Sequence, residues 1–396
     1  MADTMATMEE VELDDVEVDE NLDLGDFGNA DIDIDEPHIK IDTQEFKHFL
    51  AVAKNVISDS GRDIVSKSIC MEVEEGKLVL RATDFDVYLE YEVELKNEED
   101  VLDEGIILSL DAMEQLIKAA PSVTIIYKED DEFKVRLLGG VFPLKTYNMG
   151  LEKFIFDSDI EKVTDVSSTD MYEVIDSFSG AASSAVAPTE RRIYCEDDGS
   201  YVNYMWSILI SEIGFTDMDI KVKDIKVLQN LIKDVDDDLE IYETKDSKVD
   251  RMVIKGDNFS YAFLISEIKI PNSVKDNIDN VLLEDGIYVD YNQLYKMIDL
   301  AANISYSVGK IEMNFTDDNK LKLIIKTKTK NDADIEASGS VSGTVSPLDE
   351  GLVFQASLLK VLLRAFKSNT VKISLSEDGL GIANDKFKAA VYSKIM

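Results

Sequence analysis

The 396-residue chain is poor in the residues that most often carry chemistry: two histidines, two cysteines, one tryptophan and six prolines. Two histidines give little material for imidazole acid-base catalysis or a nucleophilic triad. His38 adjoins an acidic stretch and His48 falls on a polar helix face, so both read as surface residues. Cys70 and Cys195 cannot build a disulfide framework and read as buried thiols of a reducing cytoplasm. No stretch of about 18 apolar residues occurs, so no segment is expected to span a membrane. Basic charge is scarce too: 41 Lys and Arg face 81 Asp and Glu, a net charge of −40. Affinity for DNA comes largely from neutralising phosphates, so a simple basic-patch DNA reader is excluded. What is abundant is apolar: 45% of residues are hydrophobic, including 16 Phe and 15 Tyr. That is too much for a disordered acidic protein, and the length suggests two or three domains.

Catalytic and metal motifs are also missing. Asp234-Val235-Asp236-Asp237-Asp238 resembles the start of a calcium loop, but Leu239 stands where glycine is needed and Lys245 where the bidentate glutamate belongs. It reads as a solvated turn. Gly339-Ser340-Val341-Ser342-Gly343 has valine at its centre and is no nucleophile elbow, and no phosphate-cradling G-x-x-x-x-G-K-[ST] is present. The expectation is a protein without catalytic activity, metal or cofactor.

The acid is unevenly spread. Residues 1–37 hold fifteen acidic side chains and no Lys or Arg, leaving 66 acids against 41 bases, a net of −25, for residues 38–396. The first segment reads as a disordered acidic tail, because it has too little bulky apolar surface to offset the entropy of ordering. It lacks the positive start and apolar run of a signal peptide.

Beyond residue 37 an amphipathic helix stripe, apolar at i, i+3, i+4 and i+7, recurs six times. The copies are Phe46-Phe49-Leu50-Ala53, Met113-Leu116-Ile117-Ala120, Met171-Val174-Ile175-Phe178, Leu228-Leu231-Ile232-Val235, Leu294-Met297-Ile298-Ala301 and Leu359-Leu362-Leu363-Phe366. Most follow a short strand-like segment, open at a capping candidate (Asp42 or Thr43, Ser109, Ser168 or Thr169, Asp290) and precede further strand-like runs. The unit is β-α-β-β-β. One unit cannot bury both its helix stripe and a sheet face, so pairing is expected. Three α+β domains follow, at about 38–155, 160–272 and 282–396.

Three segments give these units a resemblance. Leu78-Val79-Leu80-Arg81-Ala82-Thr83-Asp84, Phe142-Pro143-Leu144-Lys145-Thr146, and Phe354-Gln355-Ala356-Ser357-Leu358 through Val371-Lys372-Ile373-Ser374-Leu375 are similar to segments of the bacterial DNA polymerase III beta sliding clamp family, phage-encoded members included. The resemblance covers residues 38–396 in order. It implies a closed homodimeric ring of clamp domains with helices inside and sheets outside, which encircles duplex DNA without sequence preference and tethers the replicative polymerase after a clamp loader has opened it. Topology would then hold the DNA, and an acidic exterior becomes tolerable. It also implies a cytoplasmic or nucleoid location in a bacterium or a phage-infected host.

Residues follow from the resemblance. On the helix polar faces stand Lys47, Lys54, Lys118, Lys226, Lys233, Lys296, Lys360, Arg364 and Lys367, whereas the third helix carries Asp170, Glu173 and Asp176. Arg62 matches a DNA-contacting loop, and Arg191 and Arg192 match a basic cluster in the second domain. The partner-peptide pocket is matched by Tyr194, Pro271, Gln355, Leu358, Val391, Tyr392 and the tail ending at Met396. Met205 and Trp206, in a segment that departs from the family, are expected to fill or reshape that pocket and alter its peptide specificity. Phe142, Leu144 and Ile304 match subunit-interface positions. Two alternatives remain: a clamp-like interaction hub for transcription or repair proteins, and an acidic DNA mimic. A mimic should carry acids on every helix face. Asn21-Leu22-Asp23-Leu24-Gly25-Asp26-Phe27 loosely resembles pocket-docking peptides, so the tail is a candidate competitor for the pocket or the DNA channel.

Overall fold

The computed structural model describes residues 36–57, 63–97, 101–102, 104–118, 120, 122–137, 140–187, 189–245, 249–266, 278, 280–304, 309–326 and 333–393. Six β-α-β-β-β units follow one another. The first runs β1 (His38–Asp42), α1 (Thr43–Val56), β2 (Ser68–Glu74), β3 (Lys77–Thr83), β4 (Tyr88–Glu94); the second β5 (Ile106–Ser109), α2 (Leu110–Ile117), β6 (Val123–Glu129), β7 (Glu132–Leu137), β8 (Gly140–Pro143). The third runs β9 (Ile160–Val166), α3 (Ser168–Ser184), β10 (Arg192–Glu196), β11 (Gly199–Tyr204), β12 (Ser207–Ser211); the fourth β13 (Met218–Lys221), α4 (Val222–Ile232), β14 (Leu239–Thr244), β15 (Arg251–Lys255), β16 (Phe259–Leu264). The fifth is β17 (Gly286–Asp290), α5 (Tyr291–Ile304), β18 (Lys310–Phe315), β19 (Lys320–Lys326), β20 (Ala333–Ser342), and the sixth β21 (Leu352–Gln355), α6 (Ala356–Leu363), β22 (Thr370–Ser376), β23 (Gly379–Ala383), β24 (Phe387–Tyr392).

A helix forms at each stripe, although Ala120, Val235 and Phe366, the last stripe residues of the second, fourth and sixth copies, lie beyond the ends of α2, α4 and α6. In α1 the side chains of Phe46, Phe49, Leu50, Val52, Ala53 and Val56 are buried, each large one contributing about 1.5–3 kcal/mol relative to exposure. Asp42 caps α1 by accepting from the Gln44 and Glu45 amides, and Asp290 accepts from Gln293 N at the start of α5. The cap of α3 is Ser167, which accepts from Asp170 N, rather than Ser168 or Thr169. The Ser168 hydroxyl instead donates to the Val235 carbonyl, tying α3 to the turn after α4.

Units pair by exchanging their opening strands. β1 lies beside β6 and β5 beside β2, β9 beside β14 and β13 beside β10, β17 beside β22 and β21 beside β18. Every unit therefore needs its neighbour to complete two four-stranded sheets. The pairs are then stitched edge to edge by their last strands, β4 to β16 and β12 to β24, giving sheets of 4, 12 and 8 strands. In the third pair β20 leaves β19 and turns onto β17. Gly339 permits this, because a Cβ there would lie 1.6 Å from the Tyr288 carbonyl oxygen.

The first joint is reinforced in its core. Asp224, in the first turn of α4, is buried and accepts from the hydroxyl of fully buried Tyr261 at 2.7 Å. Lys223 beside it pairs with Asp84 in the β3–β4 turn. Burial pushes the Asp224 carboxyl up to about 6, with the Tyr261 bond and Lys221 and Lys223 opposing it. The folded chain thus holds this proton more tightly than the unfolded chain, and stability falls as pH rises from about 4 to about 6. Asp224→Asn, which stays neutral and keeps an acceptor, is expected to match the parent near pH 4 and exceed it by roughly 3 kcal/mol at pH 8. Urea unfolding of both chains across that range checks this; an equal difference at both ends contradicts it.

Candidate nucleic-acid interface and partner pocket

The six helices form one row. α2 packs on α1, α1 on α4, α4 on α3, α3 on α6 and α6 on α5. Each turns its apolar stripe to the sheets, so polar faces line one side of the row. On that side Lys118, Lys226, Lys233, Lys296 and Arg364 are exposed and Lys47 is half-buried. Among the described residues none of these six cations is in an ion pair, in a chain where acids outnumber bases two to one. Three other expected cations are engaged: Lys54 with Glu114 at 2.8 Å, Lys360 with Asp299 and Lys367 with Asp176, both at 2.5 Å.

The acids of α3 do not form a bare negative sector. Asp176 is held by Lys367, and Glu173 by Lys386 at 2.5 Å. Both lysines come from the sixth unit, so these ion pairs, with the Phe178–Phe387 edge contact, fasten the second joint. Arg191 is exposed. Arg192 differs from its expected role: its guanidinium donates to Asp219 and to Ser266, and Asp219 is buried. A buried carboxylate needs a partner, which makes Arg192 a structural counter-ion. Arg62 lies outside the described residues.

Opposite the main core, the face of β10, β11, β12 and β24 carries a second apolar patch, and it is near this patch that the residues expected in a partner pocket can be compared. There Tyr194, Ile208, Ile278, Val281 and Ala390 form a small apolar cluster, with Tyr201, Ile210, Leu282 and Tyr392 packed against it. A groove of about 440 Å³ opens beside it, lined by Tyr201, Ile210, Ile278, Leu282 and Lys388 among others. Burial raises the Tyr194 hydroxyl pKa, so that hydroxyl stays a donor, here to the Thr189 carbonyl.

Of the residues expected in the pocket, Tyr194 and Tyr392 meet. Val391 and Leu358 do not: both are buried in the main core, Val391 on β24 and Leu358 on the buried side of α6. Gln355 is the N-cap residue of α6, placed by β21 at the far edge of the twelve-stranded sheet. Met205 and Trp206 are absent from the apolar cluster. They form the two-residue turn between paired Tyr204 and Ser207, Met205 with a left-handed φ of 53°, and both side chains are exposed at the rim. Pro271 and Met396 lie outside the described residues. Ile208, Ile210, Ile278, Val281 and Ala390, which the sequence reading did not single out, belong to this outer apolar patch; Ile208-Leu209-Ile210 and Ala389-Ala390-Val391 lack the alternation of a one-sided strand, a sign that both faces are covered.

At the expected subunit interface, Phe142 and neighbouring Val141 are 42% and 47% exposed on β8, whose outer edge pairs with no described strand. Leu144 is buried in the domain core, a position fixed by its amide bonding the Phe133 carbonyl, and so offers no interface surface. Ile304 ends α5, and its side chain lies outside the described residues. Neither a metal-holding group of three or more His, Cys, Asp or Glu nor a helix long and apolar enough to cross a membrane occurs among the described residues. Cys70 and Cys195 are free and buried, and burial pushes both thiols up to about 12. His48 is half-buried against Tyr91 rather than fully on the surface.

No family model and no curated protein matches the chain by sequence. Solved structures match it by shape. The DNA polymerase beta subunit of Streptococcus pyogenes superposes with a TM-score of 0.74 at 15% identity, covering 91% of this chain and 100% of that one. The DNA polymerase III beta subunit of Pseudomonas aeruginosa gives 0.71 at 16%, with 91% and 100% covered. That of Thermotoga maritima gives 0.73 at 14%, with 91% and 99% covered. Six units, exchanged opening strands and one helix row, superposed along nearly the whole of these chains, give this protein the α+β fold of the DNA polymerase III beta sliding clamps.

Proposed function

We propose that the chain is a DNA sliding clamp, a non-enzymatic processivity factor that encircles duplex DNA and tethers a replicative polymerase. The observation that carries this reading is the row of cations, without ion pairs among the described residues, on or just past the ends of five of six adjacent helices in an otherwise acidic chain. A weak, sequence-independent attraction of this kind suits a protein that must slide. It also argues against the DNA mimic, which would carry acids on those faces.

The strand inventory supports a closed ring. Fourth strands join in pairs, β4 with β16 and β12 with β24; β8 ends its sheet among the described residues, and β20, held by β19 over Ala333–Ser338 and by β17 over Gly339–Ser342, is the other fourth strand outside such a joint. In this reading β8 of one copy meets the Ala333–Ser338 part of β20 in the next, head to tail, and two copies of three domains, bounded near 38–155, 160–272 and 282–396, close a ring. Closure also removes the exposed β8 edge, an aggregation hazard. In this reading the apolar cluster around Ile208 and Ile278 takes the partner peptide, and a clamp loader opens the ring.

Primer extension on a singly primed circle tests the proposal. With the cognate polymerase and loader, adding the chain is expected to lengthen the product made per binding event by about tenfold or more, because tethering raises the local polymerase concentration. A hub for transcription or repair proteins leaves product length unchanged.

A further inference from the structure

The Nε of Arg136 is the one buried side-chain nitrogen or oxygen among the described residues that has no hydrogen-bond partner. No acid among those residues holds its guanidinium, in a chain of 81 acids and 41 bases. A buried donor without an acceptor costs stability, so this one needs a cause. Arg136 lies on β7 between Val135 and Leu137, both in the main core, and alternation turns it to the outer sheet face. Its cross-strand row is Lys40 of β1, Ile125 of β6, Arg136 and Val141 of β8, with no acid in it. Lys134, on the same face, is already held by Glu129 at 2.6 Å. Beyond Val141 the sheet ends among the described residues.

The other open fourth strand carries what is missing. On β20, Ala337 is in the core and Ile335 packs against it, so Asp334 and Glu336 take the outer face, and both are exposed. Glu336 meets Lys320 at 3.5 Å, but Lys320 is held more closely by Asp318, at 2.7 Å. Centring the four residues of β8 on Ala333–Ser338, antiparallel, sets Val141 opposite Glu336 and Phe142 opposite Ile335, an apolar pair on the core side. Arg136 and Glu336 are then two strands apart, about 10 Å, a gap their two side chains span together. The first joint within the chain has the same outer row: Lys255, Ser260, Glu90 and Arg81 across β15, β16, β4 and β3. There the edge-strand glutamate stands between cations of both sheets, and Arg81 holds it at 2.7 Å.

We propose that Arg136 of one copy and Glu336 of the next form an ion pair across Val141, which fixes the register in which β8 meets β20. The pairing rests on the ring reading and adds a selection rule to it. Two β8 edges brought together set arginine against arginine, and two β20 edges set glutamate against glutamate. Only the head-to-tail contact matches the charges, so the pair selects against wrong assemblies.

Sedimentation equilibrium of the full chain tests it, with Arg136→Glu, Glu336→Arg and the double variant set against the parent over a range of concentrations. Each single change is expected to raise the dissociation constant on the order of a hundredfold, about tenfold for each of two contacts. The double variant, which exchanges the charges, is expected to return to within about threefold of the parent. A chain that simply failed to fold is not rescued by a second reversal, and Glu336→Arg alters an exposed side chain. A dimeric parent whose single variants associate as tightly overturns the pairing and leaves the ring reading standing. Single variants that weaken without rescue in the double overturn it too. Rescue of Arg136→Glu by Asp334→Arg in place of Glu336→Arg overturns the register. A parent that stays at the single-chain mass at every concentration removes the ring reading, and the pairing with it.

Discussion

Changing Lys47, Lys118, Lys226 and Lys233 together to Glu is expected to lower affinity for duplex DNA on the order of a hundredfold at low salt and to flatten its salt dependence. The four cations lie on α1, α2 and α4, next to one another in the row, and none has an ion-pair partner among the described residues. Each phosphate contact contributes about 0.9 to the slope of log affinity against log salt. Losing four should reduce that slope by roughly three to four. Folding should be spared, because three of the lysines are exposed, Lys47 is half-buried, and exposed charges contribute little to stability. Net charge alone does not produce this result. The control reverses Lys77, Lys134, Lys162 and Lys320, which lie on strands and are paired with Glu92, Glu129, Glu240 and Asp318. It changes total charge equally and should leave the slope unaltered. Equal losses in both variants, read by fluorescence anisotropy, would contradict a helix-borne DNA face.

If the proposed ring closes through β8, Val141→Glu with Phe142→Glu is expected to leave single chains. Sedimentation of the parent should give about twice the 44.4 kDa chain mass, and the variant the single mass with an unchanged far-ultraviolet spectrum. Val141 and Phe142 are among the large hydrophobic side chains most exposed in the second unit, and they lie on β8, an edge strand with free backbone donors and acceptors. Placing a carboxylate where an apolar anchor is buried costs about 2 kcal/mol or more per interface. A two-fold ring has two such interfaces, so the dissociation constant should rise by about a thousandfold. A parent that sediments at the single mass, or a variant that still dimerises, would remove β8 from the interface.

Much of this architecture is legible in the residues. Leu228-Leu231-Ile232 and its five counterparts are helix stripes that only a sheet can cover, and their spacing announces six units. The exchange of opening strands was not legible, because Ile39-Lys40-Ile41 reads as a strand whether it pairs with β2 or, as it does, with β6. Pairing partners are a non-local property. The pocket shows the same limit. Val391 and Ala390 are neighbours in sequence yet belong to the main core and the outer apolar cluster, so a position one residue off exchanges one for the other. Arg192 and Arg191 are likewise adjacent, and only the buried Asp219 twenty-seven residues away decides which of them is spent inside the fold. Helix lysines were easier. An exposed position on an amphipathic helix follows from periodicity alone, whereas whether a given lysine finds an acid, as Lys54 finds Glu114 on the next helix, depends on packing.

The central claim is that this acidic protein holds DNA by surrounding it. The direct measurement loads the chain onto nicked circular duplex with its loader, removes unbound protein, and then cuts the circle once with a restriction enzyme. Encirclement predicts stable retention on the circle in moderate salt and rapid loss from the new ends after cutting. Retention that is the same before and after cutting would contradict encirclement and leave only surface binding.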